Sequence, residues 1–436
     1  MPRWVGPEVA SRIAVIGSGV AGLSAAYHLK QAHAHVTLYE ADTRLGGHTH
    51  TVDVQLEAAG QRVTHGVDTG FLVFNERTYP GLIQWFKDLK VETAATDMSF
   101  SAQVPGAFGE QALEWNGASL DTVFAQRGNL LRPRFWGMLR DILRFNREAT
   151  RLAEEGRDHE LMQPLSAFLA QQRFGDAFVH WYLLPMLGCI WSCPTDQMLA
   201  FPTATMVRFC HNHGLIQVNG RPKWWTVVGG ARHYVDAVAA HIDTVHIATP
   251  VGRIQAHHQG VSVLSRLGTQ EFDAVVLATH ADQALALWPD APEGVRQALS
   301  AIRFQPNEAV LHTDTSVMPK RAKAWAAWNY ERAQDRSQES AQVCLHYWLN
   351  RLQPLPFDQP VIVSLNPVRE IAPERVIGRY AYDHPVFDAA AIAAQAQLQA
   401  PALGGRVALA GAWLGYGFHE DGFQAGRRAA EQLRAA

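Results

Sequence analysis

Residues Arg12–Val52 read RIAVIGSGVAGLSAAYHLKQAHAHVTLYEADTRLGGHTHTV, and the fold is decided within them. Ile13–Ile16 is a short apolar, β-branched run, the pattern of a strand buried on both faces. It runs into Gly17-Ser18-Gly19-Val20-Ala21-Gly22, and Leu23–Leu29 continues as a helix. A second strand, His35–Tyr39, ends on Glu40. Gly17 permits the tight turn, Gly19 lets the backbone approach a pyrophosphate, and Gly22 lets helix and strand pack closely. The helix start offers free N–H groups and roughly half a positive charge, which favours a diphosphate. Glu40 follows Gly17 by 23 positions, where a carboxylate accepts hydrogen bonds from ribose hydroxyls. The unit predicts dinucleotide binding by Gly17, Ser18, Gly19, Val20, Ala21 and Gly22, with Glu40 and Ala41 at the sugar.

The chain continues with Arg44, Gly46, Gly47 and His48, a basic residue followed by a glycine pair. This resembles the second phosphate-binding element of the flavin amine oxidase and phytoene desaturase superfamily, and so implies FAD rather than NAD. Further segments carry the same resemblance. Thr69, Gly70 and Phe71 lie in a stretch similar to the superfamily's third flavin-contacting strand. Val251 matches a position where a valine backbone meets the adenine, and Ala278-Thr279 matches the strand end near the pyrophosphate. Gly411, Ala412, Gly422 and Phe423 belong to the closing flavin element. The motifs GGHTHTVD, DTGFLVFNERTYP, ATHADQAL and GYGFHEDG resemble a branch akin to the oxidase-like domain ahead of plant cyclopropane fatty-acid synthases. That resemblance implies an oxidoreductase acting on modified acyl chains. Three departures stand out. Ala410-Gly411-Ala412-Trp413 lacks the acid that amine oxidases place there, and His48 replaces the usual arginine. No cysteine lies near Trp413 or Tyr416, so FAD is expected to be held non-covalently.

The resemblance implies an α/β fold in which a Rossmann-like FAD-binding domain, a parallel sheet with a ββα-type insert, is interleaved with a mixed α+β substrate domain. The expected boundaries are FAD-binding parts at 1–78, 223–290 and 403–436, and substrate-domain parts at 79–222 and 291–402. The 436 residues suit such an arrangement, and 47% hydrophobic with 18% charged residues is ordinary for a large globular enzyme. A net charge of −3 gives no general attraction to nucleic acid. Four cysteines cannot be a disulfide framework, which points to a reducing, cytoplasmic setting. Neither Cys189 and Cys193 nor Cys210 with His211 and His213 has a common zinc spacing, so no metal is expected. No apolar run is long enough to cross a bilayer. A helix is expected with Phe135, Met138, Leu139, Ile142 and Phe145 on one face and Arg140, Arg144, Arg147 and Arg151 on another. A solvated arginine face is the expected reading, and a peripheral membrane contact is left open. Oligomeric state is not read from the sequence.

Only one intact GxGxxG is present, so no second nucleotide domain is expected and electrons enter from an organic substrate. Three readings follow. The first is dehydrogenation of a C–C bond in an apolar or acyl-lipid substrate. The second is amine oxidation, with Tyr416 and Trp413 flanking the flavin. The third is a non-catalytic FAD-fold binding protein. His419 and Glu420 are the acid–base candidates, because desaturation needs a proton acceptor beside the carbon that loses hydride. The competing reading is that they only hydrogen-bond the flavin or cap the final helix. Lys223 is a further candidate on the flavin's N5 side, against an ordinary surface lysine.

Overall fold

Ile13, Ala14, Val15 and Ile16 are each at most 4% exposed, and their strand, Arg12–Ile16, lies in the middle of a parallel sheet. The computed structural model describes residues 11–156, 161, 163–217, 220–334, 342–399 and 405–435. The sheet order is Thr244–His246, His35–Tyr39, Arg12–Ile16, Ala274–Leu277, Val407–Leu409, all pairs parallel. Parallel strands need long crossovers, and here the chain leaves for a second region between them. An antiparallel three-stranded insert, Val251–His257, Gly260–Ser265 and Gly268–Phe272, precedes the fourth strand of the parallel sheet.

That fourth strand spans Ala274–Leu277, and Ala278-Thr279 follow at its end. The chain divides at Asp273, whose carboxylate accepts from the Arg12 N–H (2.7 Å) while its own N–H donates to the Arg12 carbonyl (2.9 Å). The Trp224–Val227 strand lies apart from that sheet. It pairs antiparallel with Phe74–Asn75 and Thr93–Thr96, outside the parallel sheet. The hairpin Thr51–Ala58 and Gln61–Asp68 forms as expected, with Ala59 (φ 50°) and Gly60 (φ 76°) at its turn.

The second region is built on a seven-stranded mixed sheet. Its order is Val376–Ala381, Glu308–His312, Ile362–Leu365, Cys344–Trp348, Trp328–Glu331, Phe100–Phe108, Gln111–Asn116. A helical layer adjoins it, led by Pro133–Glu154, which buries Phe135, Met138 and Phe145 as its periodicity predicts. Aromatic and sulfur-bearing side chains fill this layer, among them Trp181, Met186, Trp191 and Phe209. The helix Pro80–Asp88 buries Leu82, Trp85 and Phe86 in the same core as the parallel sheet.

The first helix, Val20–Gln31, and the last, His419–Ala435, cross in close contact. Gly426 makes the crossing possible, since a Cβ there would lie 2.1 Å from the Ala21 carbonyl oxygen and 2.8 Å from the Ala25 nitrogen. Ser24 Oγ donates to the Phe423 carbonyl (2.7 Å) at the same contact. Gly426→Val is expected to force the helices apart and lower unfolding stability by about 1–3 kcal/mol, the usual cost of overpacking. A urea midpoint unchanged from the parent would contradict this crossing.

Candidate active site

Gly17 holds φ +100°, and a Cβ on it would sit 2.5 Å from the Ala278 carbonyl oxygen. A Cβ on Gly22 would meet the Gly17 carbonyl oxygen at 1.9 Å. Both positions therefore need glycine to bring the helix start onto the end of the Ala274–Leu277 strand. Gly19 is different: a Cβ there would meet nothing within 4 Å, and its φ of −62° suits any residue. The space above Gly19 is open, bordered by Gly47, whose own Cβ would lie 3.2 Å from Gly19 Cα. No side chain caps the first helix and no acid sits in its first turn, so its N–H groups and positive end are left for an external anion.

The residues expected around this opening converge on it. Glu40 Oε2 accepts from Ser18 N–H (2.9 Å) and Ser18 Oγ–H (2.5 Å), and Oε1 accepts from Asp42 N–H (2.8 Å). A carboxylate has about four lone-pair sites, so one remains for a ribose hydroxyl. Thr249 and Ala248 donate backbone N–H bonds to the carbonyls of Glu40 and Asp42, which ties the segment ahead of Val251 to the end of the His35–Tyr39 strand. Arg44 Nη1 donates to the Gly47 carbonyl (2.8 Å), steadying the glycine pair. Phe71 N–H donates to the His48 carbonyl, joining Thr69–Phe71 to the same rim. A Cβ on Gly422 would lie 2.6 Å from Val20 Cγ1, 3.5 Å from Ala412 Cβ and 3.7 Å from the Ala21 nitrogen. The last element thus closes over the helix start.

Beyond the opening lies a group of imidazoles that sequence reasoning largely missed. The His48 ring lies 5.5 Å from that of His384, 6.0 Å from His280 and 5.0 Å from Tyr382. His48 and His280 stand in GGHTHTVD and ATHADQAL, motifs already noted for other reasons. His384 and Tyr382 come from a long segment with no local signal. Burial first, then the neighbouring imidazoles, holds His48 well below the usual histidine range. Burial takes His384 and His50 to about 4. His48 Nε2 is buried and has no hydrogen-bond partner. An orphaned ring nitrogen beside an open anion cradle is what a bound cofactor with polar edges would satisfy.

The four catalytic candidates separate in the structure. His419 stacks on Phe71 (centroids 3.7 Å apart, planes 14°), and its Nε2 bonds Thr49 Oγ1 at 2.9 Å. Tyr234 Oη completes the group, 2.5 Å from Thr49 Oγ1. Burial pushes the His419 imidazole down to about 3, so it is neutral at pH 7 and a weak base. Glu420 accepts from Gly81 N–H (3.0 Å) and Leu82 N–H (2.9 Å), and so caps the helix Pro80–Asp88. Trp413 is 3% exposed, and its indole N–H donates to the Thr279 carbonyl (3.0 Å), a strut between two strand ends. Tyr416 faces the helical layer, 5.7 Å from Phe209. Glu420 and Trp413 are corrected to structural roles, because their polar atoms are already engaged. Phe423 is corrected likewise: its ring packs in the core 5.0 Å from Trp85, away from the opening. Lys223 is exposed.

A second polar cluster escaped the sequence reading. The ligand-type atoms of Glu331, Cys344 and His346 lie within 4.8 Å of one another. Arg369 Nε holds Glu331 at 2.7 Å, so the carboxylate already has a cation. Cys189, Cys193 and Cys210 are buried, and burial raises each thiol.

Fold and site together define a flavoprotein of the two-region FAD-binding class. The family model for flavin containing amine oxidoreductases matches residues 20–434, and the chain belongs to that family. It is an FAD-dependent oxidoreductase, with FAD the expected non-covalent cofactor. A putative flavin-containing monoamine oxidase, AofH, from Mycobacterium tuberculosis is 24% identical over 294 residues, covering 64% of this chain and 59% of that one. Cyclohexylamine oxidase from Brevibacterium oxydans superposes with a TM-score of 0.68 at 16% identity, covering 98% and 99% of the two chains. A fatty acid isomerase from P. acnes gives 0.64 at 16% identity, covering 96% and 97%.

Gly19→Val is expected to fold like the parent and to lose bound flavin, because its side chain would fill only the cradle. Retained visible absorbance at unchanged stoichiometry would contradict the cradle. The cofactor-free protein should also lose stability on acidification. His48, His50, His384 and His419 stay neutral when folded but titrate near 6.5 when unfolded, so their stabilisation is lost as pH falls below 6.5. Asp68 and Asp421, raised by burial to about 6, act in the opposite sense, losing stability as pH rises from 3.8 toward 6. Four imidazoles against two carboxyls predict a net uptake of up to about two protons on unfolding between pH 4 and 6. Zero or negative uptake in that window would contradict the buried, neutral imidazoles.

Proposed function

We propose that this protein dehydrogenates a C–C bond in an apolar, acyl-type substrate. The observation that carries the reading is the character of the wall beside the cofactor opening. Phe418 stacks on Phe209 (4.9 Å, planes 25°), which packs on Trp191 (4.6 Å), and Tyr416 and Phe387 join the same apolar cluster. The carboxylates buried beside these elements are already engaged. Glu420 caps a helix, Asp421 accepts from Phe418 N–H (3.0 Å), and Asp68 accepts from Ala231 N–H (3.0 Å) and Gln353 Nε2–H (2.7 Å). The imidazoles are neutral. A hydrocarbon chain loses nothing against these rings, whereas an ammonium group gives up hydration and meets carboxylates whose oxygens already accept protein N–H groups.

When bound, FAD would supply a two-electron acceptor for the hydride that leaves one carbon, and the proton lost from the neighbouring carbon passes to solvent. The chain's own contribution is to hold the cofactor's diphosphate at Gly19, to orient the substrate against Phe418 and Tyr416, and to exclude water with the surrounding aromatic rings. His419 is assigned a positioning role through Phe71 and Thr49 rather than proton transfer. The aromatic pair Tyr416 and Phe418 also supports a second reading, amine oxidation with a neutral amine held between rings. The fatty acid isomerase and the amine oxidase among the fold's neighbours leave both substrate classes in view.

Anaerobic mixing separates the two. Flavin bleaching by acyl lipids and not by primary amines is the expected result, and bleaching by amines alone would overturn it. His419→Phe keeps a ring on Phe71 and removes the bond to Thr49. It should retain FAD and slow substrate reduction less than tenfold, whereas loss of a general base costs roughly 10²–10⁴-fold.

A further inference from the structure

Nine large apolar side chains are conspicuously exposed among the described residues, and five of them fall between positions 120 and 143. Leu131 is 87% exposed, Leu120 79%, Leu143 60%, Trp136 49% and Leu130 48%. They form one surface. Trp136 Nε1–H donates to the Leu130 carbonyl (3.0 Å), fixing the Leu130–Leu131 turn beside the helix Pro133–Glu154. Phe124 lies 5.2 Å from Trp136, which draws the Leu120 segment into the same patch. Along the helix, positions 136, 140, 143 and 147 fall on one stripe, reading Trp, Arg, Leu, Arg, over about 16 Å.

The charges of this patch are mainly cationic. Residues 120–147 hold six arginines and two aspartates, in a chain whose net charge is −3. Asp121 is shared by Arg127 and Lys323, and Asp141 is nearly buried, accepting from Gly175 N–H (2.9 Å) and pairing with Arg144 (3.3 Å). Arg140 and Arg147 are 79% and 74% exposed, with only long contacts, 3.8 and 3.5 Å, to the acids next to them in sequence. Soluble surfaces rarely cluster exposed leucines and a tryptophan, and a cationic rim around such a cluster is the pattern of an interfacial helix.

We propose that the Leu120–Arg147 surface docks on an anionic lipid bilayer, with Leu130, Leu131, Trp136 and Leu143 entering the headgroup region and Arg140 and Arg147 on lipid phosphates. A second copy of the chain is a poorer occupant, because a two-fold contact would set these arginines against their own equivalents. The inference rests on this surface alone and does not depend on the substrate reading.

The test is co-sedimentation of the FAD-loaded protein with vesicles of phosphatidylcholine alone or with 30% phosphatidylglycerol. Binding is expected only with the anionic vesicles, and 0.5 M salt should weaken it. Arg140→Gln with Arg147→Gln should lower partitioning about thirtyfold, at roughly fivefold per basic residue removed. Leu131→Glu with Trp136→Gln should abolish it, while flavin content and thermal midpoint stay at parental values because these side chains are largely outside the core. Two results would overturn the proposal. One is parental protein that stays in the supernatant of anionic vesicles or binds neutral ones equally. The other is a concentration-dependent dimer in sedimentation velocity that the Leu131 and Trp136 changes dissolve.

Discussion

The structure depends on one steric constraint, the contact of the Gly17–Gly22 turn with the end of the Ala274–Leu277 strand. The Gly17 carbonyl lies where a Cβ of residue 22 would be, and the Ala278 carbonyl where a Cβ of residue 17 would be. Only hydrogen at both positions lets the first helix begin so close to two parallel strands. The helix's unpaired N–H groups then open onto space bordered by Gly47, with Glu40 fixed alongside through Ser18. A diphosphate is the ligand this arrangement suits, because several amide donors and the helix's positive end face one volume that no side chain fills.

A single turn, Gly415–Gly422, connects this cradle to the rest of the molecule. Successive side chains leave it in different directions. Phe418 stacks in the helical layer, His419 stacks on Phe71 at the rim, Glu420 caps the helix Pro80–Asp88, and Asp421 returns to the turn's own backbone. A Cβ on Gly415 would meet Asp421 Oδ1 at 2.4 Å, so the carboxyl and the glycine fit only together. The turn thereby couples both regions to the cofactor rim while leaving no carboxylate free there. The stacked rings of Phe418 and Phe209 stand beside it as an apolar wall.

What the sequence disclosed follows from how local each signal is. The glycine fingerprint, Glu40, Gly46-Gly47 and the buried strands are contiguous patterns with one physical reading each, and the structure brings them around one opening. The acid–base candidates were chosen by residue type, and type does not show which hydrogen bonds are already made. Glu420 meets the helix start at Gly81 across 339 positions, and Trp413 meets Thr279 across 134. His384 reaches His48 from a segment with no cofactor pattern, and burial shifts both imidazoles by an amount no motif encodes. Phe423 belongs by resemblance to the closing flavin element, but successive residues on a helix point about 100° apart, and its ring packs in the core against Trp85.

The central claim is that a dinucleotide's diphosphate rests on the first helix, and equilibrium binding to the apoprotein measures it directly. Flavin fluorescence titration should give FAD an affinity at least a hundredfold above that of FMN or riboflavin, which lack the diphosphate and the adenosine ribose that Glu40 serves. NAD, followed by competition, should bind far more weakly than FAD. Equal affinity for FAD and FMN, or preference for NAD, would contradict the account.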